Sequence, residues 1–122
     1  MTQNDERKEK LGKIEIAPEV IEVITAIATE EVEGVYELKS SFTDDVAEKL
    51  GRKNYARGVK VEITDEGITI DILVTVDFGV PIPKVGASIQ EHVRKQLDTM
   101  ASLEPKSINV HITSVQFSEK VE

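Results

Sequence analysis

The chain of 122 residues contains no cysteine and no tryptophan. Without cysteine it cannot form disulfides or carry out thiolate chemistry, and we expect it to work in a reducing compartment. Its aromatic residues are two Tyr and three Phe, so few side chains could stack on the bases of a single-stranded nucleic acid.

Positive charge is scarce as well. The chain has 15 Lys and Arg residues against 23 Asp and Glu residues, which gives a net charge of −8. A general polyanion binder needs a positive field to displace counterions. This charge balance therefore argues against non-specific binding of nucleic acid.

Long apolar runs are also missing. No run approaches the roughly 20 apolar residues needed to span a bilayer. The first residues, MTQNDERKEKLG, are polar and charged and lack the apolar centre of a signal peptide. We therefore expect a cytoplasmic protein that reaches a membrane only peripherally or through a partner.

Catalytic motifs are absent too. None of the serines lies in a Gly-x-Ser-x-Gly elbow, and no glycine-rich phosphate loop is present. The two histidines, His92 and His111, have no further ligand at a zinc-binding spacing. Asp71 and Asp77 are too far apart along their strand to form an acid–base pair. The sequence therefore predicts no enzyme, no metal site and no cofactor.

What the chain does contain is a clear strand–turn–helix unit from Ile68 to Met100. Apolar residues alternate with polar ones from Ile68 to Phe78, which predicts a long, half-buried strand. After Gly79 the apolar spacing changes to three and four, which predicts a helix from about Pro83 to Ser102. Gly86 falls inside the apolar stripe, where we expect its missing side chain to let the helix approach the sheet closely.

The N-terminal half is predicted to begin with a short strand from Lys13 to Ile16. Pro18 suits the first position of a helix, because its missing amide would have no partner there. The expected core stripe of that helix is Val20, Ile24, Ile27 and Ala28, broadened by Ile21, Val23 and Val32. Gly34 would end the helix in a left-handed conformation, and Val35 to Leu38 would form a strand.

Residues 43–51 suggest a short capped helix from Val46 to Leu50. Val59 to Ile63 should then pair antiparallel with the long strand, with all apolar residues on one face. The expected pairs are Ile63 with Ile68, Val61 with Ile70, and Val59 with Ile72. Ser107 to Phe117 is the last predicted strand.

These elements predict an α+β fold of two layers, in the order β-α-β-β-β-α-β. One mixed sheet of about five strands would carry both helices on its single apolar face, while the strand order stays open. We expect one domain over residues 13–117, between a disordered N-terminal tail at 1–12 and a C-terminal tail at 118–122.

Three stretches could form an interaction surface. The first, segment 51–58, gathers cationic, amide and aromatic side chains between two glycines: Arg52, Lys53, Asn54, Tyr55 and Arg57. Such a segment could bind an anion or a partner through bidentate Arg contacts. It could equally be a solvated loop whose cations balance Asp44, Asp45 and Glu48.

The second is the turn that contains Gly79, Pro81 and Pro83. It leads into a helix without a Ser, Thr or Asp cap, so free amides could hold an anion or a carboxylate of a partner. The prolines also remove donors that would otherwise need a partner, which would explain the turn on structural grounds alone.

The third is the polar face of the sheet, where Leu73 interrupts a polar series. Val115 and Phe117 have the opposite parity to Ile108, Val110 and Ile112. If they reach the same side as Leu73, they form an apolar patch of the kind that marks an interface. A bulge near Thr113 and Ser114 would instead turn both of them back towards the core.

Several of these stretches resemble the alkaline shock protein family, the envelope stress response proteins of Gram-positive bacteria. The resemblance covers roughly Lys13 to Phe117 in the same motif order. The motifs are IATEEVEGV at 27–35, LGRKN at 50–54 with GVKV at 58–61, DFGVPIP at 77–83 with IQ at 89–90, and INVH at 108–111.

This resemblance implies a small, non-enzymatic, cytoplasmic protein that self-associates and binds protein partners. Some members of the family are held at the membrane by a separate anchor protein. A short branch, which this chain resembles through its Gly-Arg-Lys-Asn loop, is associated with the control of acetyl-CoA carboxylase and fatty-acid synthesis. We keep as an alternative a small RNA-binding module that uses the basic loop 51–58.

Overall fold

The computed structural model describes residues 11–38 and 58–117. Within these ranges the chain forms two helices and four strands. In chain order they are α1 (Pro18–Glu30), β1 (Val35–Leu38), β2 (Val59–Thr64), β3 (Gly67–Asp77), α2 (Ile82–Ala101) and β4 (Ser107–Gln116). The α+β class is confirmed.

The centre of the sheet is β3, and the hairpin it forms with β2 has the predicted register. Ile63 lies opposite Ile68, Val61 opposite Ile70, and Val59 opposite Ile72. The turn between Thr64 and Gly67 fixes this register, because a slip by one residue would move every apolar side chain to the other face.

Both edges of β3 are occupied, one of them by two strands. β4 pairs parallel to β3 from Thr69 to Asp77, whereas β1 and β2 both run antiparallel to it. The Leu73 amide donates to the Gly58 carbonyl just before β2, and the Asp77 amide donates to the Gly34 carbonyl just before β1. β1 and β2 therefore lie end to end along the edge of β3 opposite β4. The sheet is therefore mixed, as predicted.

The predicted strand from Lys13 to Ile16 is wrong, so the described residues form four strands rather than about five. This segment has no regular structure, and Ile14 is 75% exposed. The physical reason is that its apolar side chains do not reach the core, since Ile16 is 38% exposed as well. The predicted helix from Val46 to Leu50 lies outside the described residues, as do the tail 118–122 and most of the tail 1–12.

Both helices pack on one face of the sheet, as predicted. The fully buried residues of β3 are Ile70, Ile72, Val74 and Val76. They meet a stripe on α2 formed by Val85, Ile89, Val93 and Leu97. The expected role of Gly86 is wrong, because a Cβ atom built there would have no neighbour within 4 Å in the part of the chain that the structure describes.

The stripe predicted for α1 is displaced around the helix. The side that faces the core carries Ile21, Ile24, Thr25, Ala28 and Thr29. Val20 and Ile27, which were expected in the core, are 45% and 53% exposed. Since α1 is apolar on more than one side, periodicity alone could not select the buried one.

Gly34 does not cap α1, which already ends at Glu30 with Glu31 as its C-cap. It lies in the turn that leads to β1, with φ of +102°. A Cβ atom at this position would come within 2.9 Å of Val85 Cγ2. This turn therefore lies directly against the first turn of α2, which only glycine allows.

Candidate interaction surfaces

The face of the sheet opposite the helices carries Leu73 between polar neighbours. Leu73 is half-buried and paired with His111. The β3–β4 register shifts by one residue at Thr113, so that Val115 pairs with Val76. Val115 therefore lies on the helix side, and the bulge alternative is the one observed. Leu73 gains no apolar patch from this strand.

A polar cluster lies beside Leu73 on the same face. Asp71 Oδ1 accepts a hydrogen bond from Asn109 Nδ2 at 3.1 Å, and His111 Nε2 lies at the same distance from it. The hydrogen bond with His111 is the main reason why the pKa of Asp71 is lowered, and burial opposes this effect. These contacts join β3 to β4.

The turn from Gly79 to Pro83 is exposed except at the half-buried Val80, and it starts α2 without a side-chain cap. Pro83 has no amide, and the amides of Lys84 and Val85 donate to the Pro81 carbonyl at 3.1 and 3.0 Å. Few donors therefore remain for an anion. Pro81 lines a cavity of about 500 Å³ together with Val80, Lys84 and His92, among other residues.

A second cavity lies on the outer side of the two helices, and we call it the helix groove. It has a volume of about 500 Å³ and is lined mainly by apolar side chains. Its lining residues are Glu19, Val20, Val23, Ile24, Ile27, Ala28 and Glu31 of α1 with its C-cap, and Gln96 and Met100 of α2. At one end His92 Nε2 lies 2.7 Å from Glu31 Oε1, which links the two helices.

The outer edge of β4 is a further unpartnered surface in the described part of the chain, and we call it the β4 edge. β4 pairs only with β3 there. Near its C-terminal end the rings of Phe78 and Phe117 stack at 4.7 Å, and both rings are exposed. The edge therefore combines open main-chain groups with an apolar patch.

Sequence reasoning missed both of these surfaces. Val20, Ile27 and Met100 were assigned to core stripes, although the broad apolar surface of α1 already indicated a second side. The β4 edge could not be found without the strand order. Its signal was the run from Ser107 to Ser118, which is the longest stretch of the chain without a charged residue.

The predicted sites at Arg52, Lys53, Asn54, Tyr55 and Arg57 lie outside the described residues. Within residues 11–38 and 58–117 no group of three His, Asp or Glu side chains could hold a metal ion. No helix in these ranges is long and apolar enough to cross a bilayer.

A family model matches most of this chain. The model of the alkaline shock protein 23 family, described as having a cell envelope-related function, matches residues 6–117. The uncharacterized protein YqhY of Bacillus subtilis is 51% identical over 118 residues, covering 97% of this chain and 87% of that protein.

A stress response regulator gls24 homolog of Streptococcus pyogenes is 25% identical over 112 residues. The match covers 91% of this chain and 63% of the longer relative. A solved variant of the MamM CTD superposes with a TM-score of 0.51 at 15% identity, covering 88% of this chain and 100% of that one. At this identity the likeness shows a shared fold alone.

Proposed function

The chain belongs to the alkaline shock protein 23 family, whose function is related to the cell envelope, and on that premise we propose that it is a non-catalytic interaction protein of the envelope stress response that self-associates through the β4 edge. Its location would be the cytoplasm, with access to the membrane through a partner. The observation that carries the proposal is the long, uncharged and unpaired edge of β4.

The main chain of β4 offers hydrogen bonds to another strand. In a parallel ladder a residue bonds to the two neighbours of its partner. Because Ile70 pairs with Ile108 and faces β4, the main-chain groups of Ile108, Val110 and Ile112 point away from β3. Gln90 Nε2 donates to the Ile108 carbonyl at 2.9 Å. No strand between residues 58 and 117 or between 11 and 38 pairs with Val110 and Ile112 on this side, so both are available for pairing.

The charge distribution favours a second copy of the chain as the occupant of this edge. Two copies of a protein with a net charge of −8 repel each other over most of their surface. Natural edge strands are usually protected by Lys, Pro or other charged residues. From Ser107 to Phe117 the edge carries none of these, so two β4 edges can approach each other without repulsion between charged side chains.

A two-fold axis would pair the two β4 strands antiparallel and join two sheets into one. Both pairs of helices would then lie on the same face. Val115, which is 40% exposed, and the stacked rings of Phe78 and Phe117 would flank the new ladder. Their burial would add apolar contacts to the main-chain hydrogen bonds.

Self-association is tested by light scattering or sedimentation over a range of concentrations. The wild-type chain, 13.5 kDa as a monomer, should gain mass as its concentration rises. Asn109→Lys/Thr113→Lys places cations on the exposed side chains of the edge and should weaken association at least about tenfold. Ser88→Lys/Thr99→Lys, on exposed positions of α2, changes the net charge equally and should associate like the wild type.

A wild-type chain that stays monomeric, or an edge variant that associates as strongly as the control variant, would contradict the role of β4. Thermal melts of all three proteins check that each is folded. Because the edge variant is less negative than the wild type, any loss of association cannot come from increased overall repulsion.

We also propose, from the family resemblance, that acetyl-CoA carboxylase is a partner and that the basic segment contributes to its binding. Arg52, Lys53 and Arg57 supply cations in an otherwise acidic chain, which suits an acidic surface on a partner. Replacing all three with alanine should weaken the capture of purified carboxylase and leave the thermal melt nearly unchanged. Equal capture by the variant would remove this segment from the proposal.

A further inference from the structure

We propose that the helix groove binds an amphipathic helix of a partner protein that carries Lys or Arg beside its apolar stripe. This inference is independent of self-association, because the groove and the β4 edge use different elements. It accounts for the second apolar side of α1, which the described helices and strands do not bury.

The helix groove is lined mainly by apolar side chains, several of them exposed. The core side of α1 packs against the sheet and α2, and two of its residues, Ile24 and Ala28, also line the groove. The outer side nevertheless carries Val20 and Ile27, which are about half exposed, and Met100 of α2 beside them is 64% exposed. Apolar side chains that meet in one groove, rather than scattered singly, mark an interaction site.

The length of the groove fits a short helix. Glu19 and Glu31 mark its two ends and lie twelve positions apart, which corresponds to about 18 Å along a helix axis. That length accommodates about three turns of a partner helix. A helix docks in such a groove through apolar residues at positions i, i+3, i+4 and i+7.

The negative charge around α1 indicates that the partner helix is cationic. Between Lys13 and Lys39 the chain has no Lys or Arg but contains seven glutamates: Glu15, Glu19, Glu22, Glu30, Glu31, Glu33 and Glu37. Glu30 and Glu31 lie at the C-terminal end of α1, where the helix dipole disfavours negative charge. The groove itself is lined by Glu19 and Glu31 and by no Lys or Arg, although His92 contacts Glu31 at one end. A cationic helix would be attracted to these carboxylates, whereas a second copy would bring the same glutamates and be repelled.

The probe is a synthetic 14-residue helical peptide with Leu at the i, i+3, i+4 and i+7 positions and Lys elsewhere. A matched peptide carries Glu in place of Lys. Binding to the full chain is followed by fluorescence anisotropy of labelled peptide. We expect the Leu–Lys peptide to bind and the Leu–Glu peptide to bind at least about tenfold more weakly.

Two pairs of variants locate the site. Ile27→Asp, in the groove, should weaken binding of the Leu–Lys peptide at least about tenfold, although it adds a negative charge that would attract the peptide. Ile63→Asp on β2, where the side chain is 54% exposed, is its matched control and should bind like the wild type. Glu19→Lys should likewise weaken binding more than Glu62→Lys, which changes the net charge equally on β2.

The inference fails if the Leu–Lys peptide does not bind, if both peptides bind equally, or if Ile27→Asp and Ile63→Asp behave alike. The last result would reduce the interaction to general attraction by an acidic protein. Light scattering on the same samples separates this test from that of the β4 edge. If Ile27→Asp abolishes self-association, the groove holds a second copy and the proposal of a cationic partner is wrong.

Discussion

The helix groove and the β4 edge are both open in the described part of the chain, but they offer opposite things to a partner. The groove offers apolar side chains flanked by glutamates. The edge offers main-chain hydrogen bonds along a strand with no Asp, Glu, Lys or Arg. In a protein with a net charge of −8, this difference decides which surface can meet its own copy and which needs a cationic partner.

The largest expected effect on stability is that of Gly34→Ala, which should affect the helix groove more than the β4 edge. The turn before β1 holds Gly34 at a positive φ, 2.9 Å from Val85 when a Cβ atom is added. Alanine should therefore lower the free energy of unfolding by about 2 kcal/mol. It should also loosen the end of α1 against α2, where Glu31 closes the groove.

Urea unfolding measures the loss of stability, and peptide titration with light scattering separates the two surfaces. Binding of the Leu–Lys peptide should weaken more than self-association does. If peptide binding and self-association weaken equally, the groove and the edge depend on the same element and are not independent surfaces.

Asp71→Asn, which removes a carboxylate that joins β3 to β4, should have a smaller effect on the free energy of unfolding. Because the pKa of Asp71 is lowered in the folded state, its stabilising contribution is present above the unfolded pKa of about 3.9. This contribution is lost as the pH falls through the lower, folded pKa. For such a partly exposed pair we expect about 1 kcal/mol at neutral pH.

Unfolding free energies at pH 7 and pH 3 should therefore differ less in Asp71→Asn than in the wild-type chain. Asp77→Asn, on the same face of β3, is the matched control. Peptide binding to the groove at pH 7 should not change in Asp71→Asn. An equal pH response in the wild type and Asp71→Asn would show that the contacts with His111 and Asn109 do not stabilise the β3–β4 ladder.

The smallest expected effect concerns the buried side of α1. Thr25 is fully buried, and its Oγ1 has no hydrogen-bond partner among the described residues. Thr25→Val keeps the shape and removes the desolvated hydroxyl, so it should raise the free energy of unfolding by about 0.5 kcal/mol.

Thr29→Val is the contrasting variant, because Thr29 Oγ1 donates to the Thr25 carbonyl at 2.7 Å and its loss should destabilise the fold. Neither variant should change binding in the groove, since both side chains face the core. If Thr25→Val weakens peptide binding, the two sides of α1 are not independent.

The features that depend on local sequence rules were predicted correctly. The alternation in β3, the turn before it and the apolar spacing in α2 agree on one arrangement, so the hairpin register of Val59, Val61 and Ile63 was correct. The bulge at Thr113 was one of two alternatives, since parity alone cannot show which way Val115 turns.

The parts that sequence reasoning could not supply depend on long-range packing. Val20 and Ile27 are as apolar as Ile21 and Ile24, and only the direction in which α1 meets the sheet decides which pair is buried. Whether β4 lies at an edge depends on which strands occupy the two sides of β3. Both candidate surfaces follow from these two facts.

The most direct test of self-association through β4 is a set of distances between two copies. The chain has no cysteine, so single cysteines at Asn109, His111 and Gln116 can carry nitroxide spin labels on the face opposite the helices without background. Antiparallel pairing predicts a distance that is shortest near the middle of β4. Away from the middle, the distance between equivalent labels should grow by about 6.6 Å per residue, which is twice the rise per residue of a strand. Distances that stay constant along β4, or that are all longer than about 40 Å, would contradict the proposed interface.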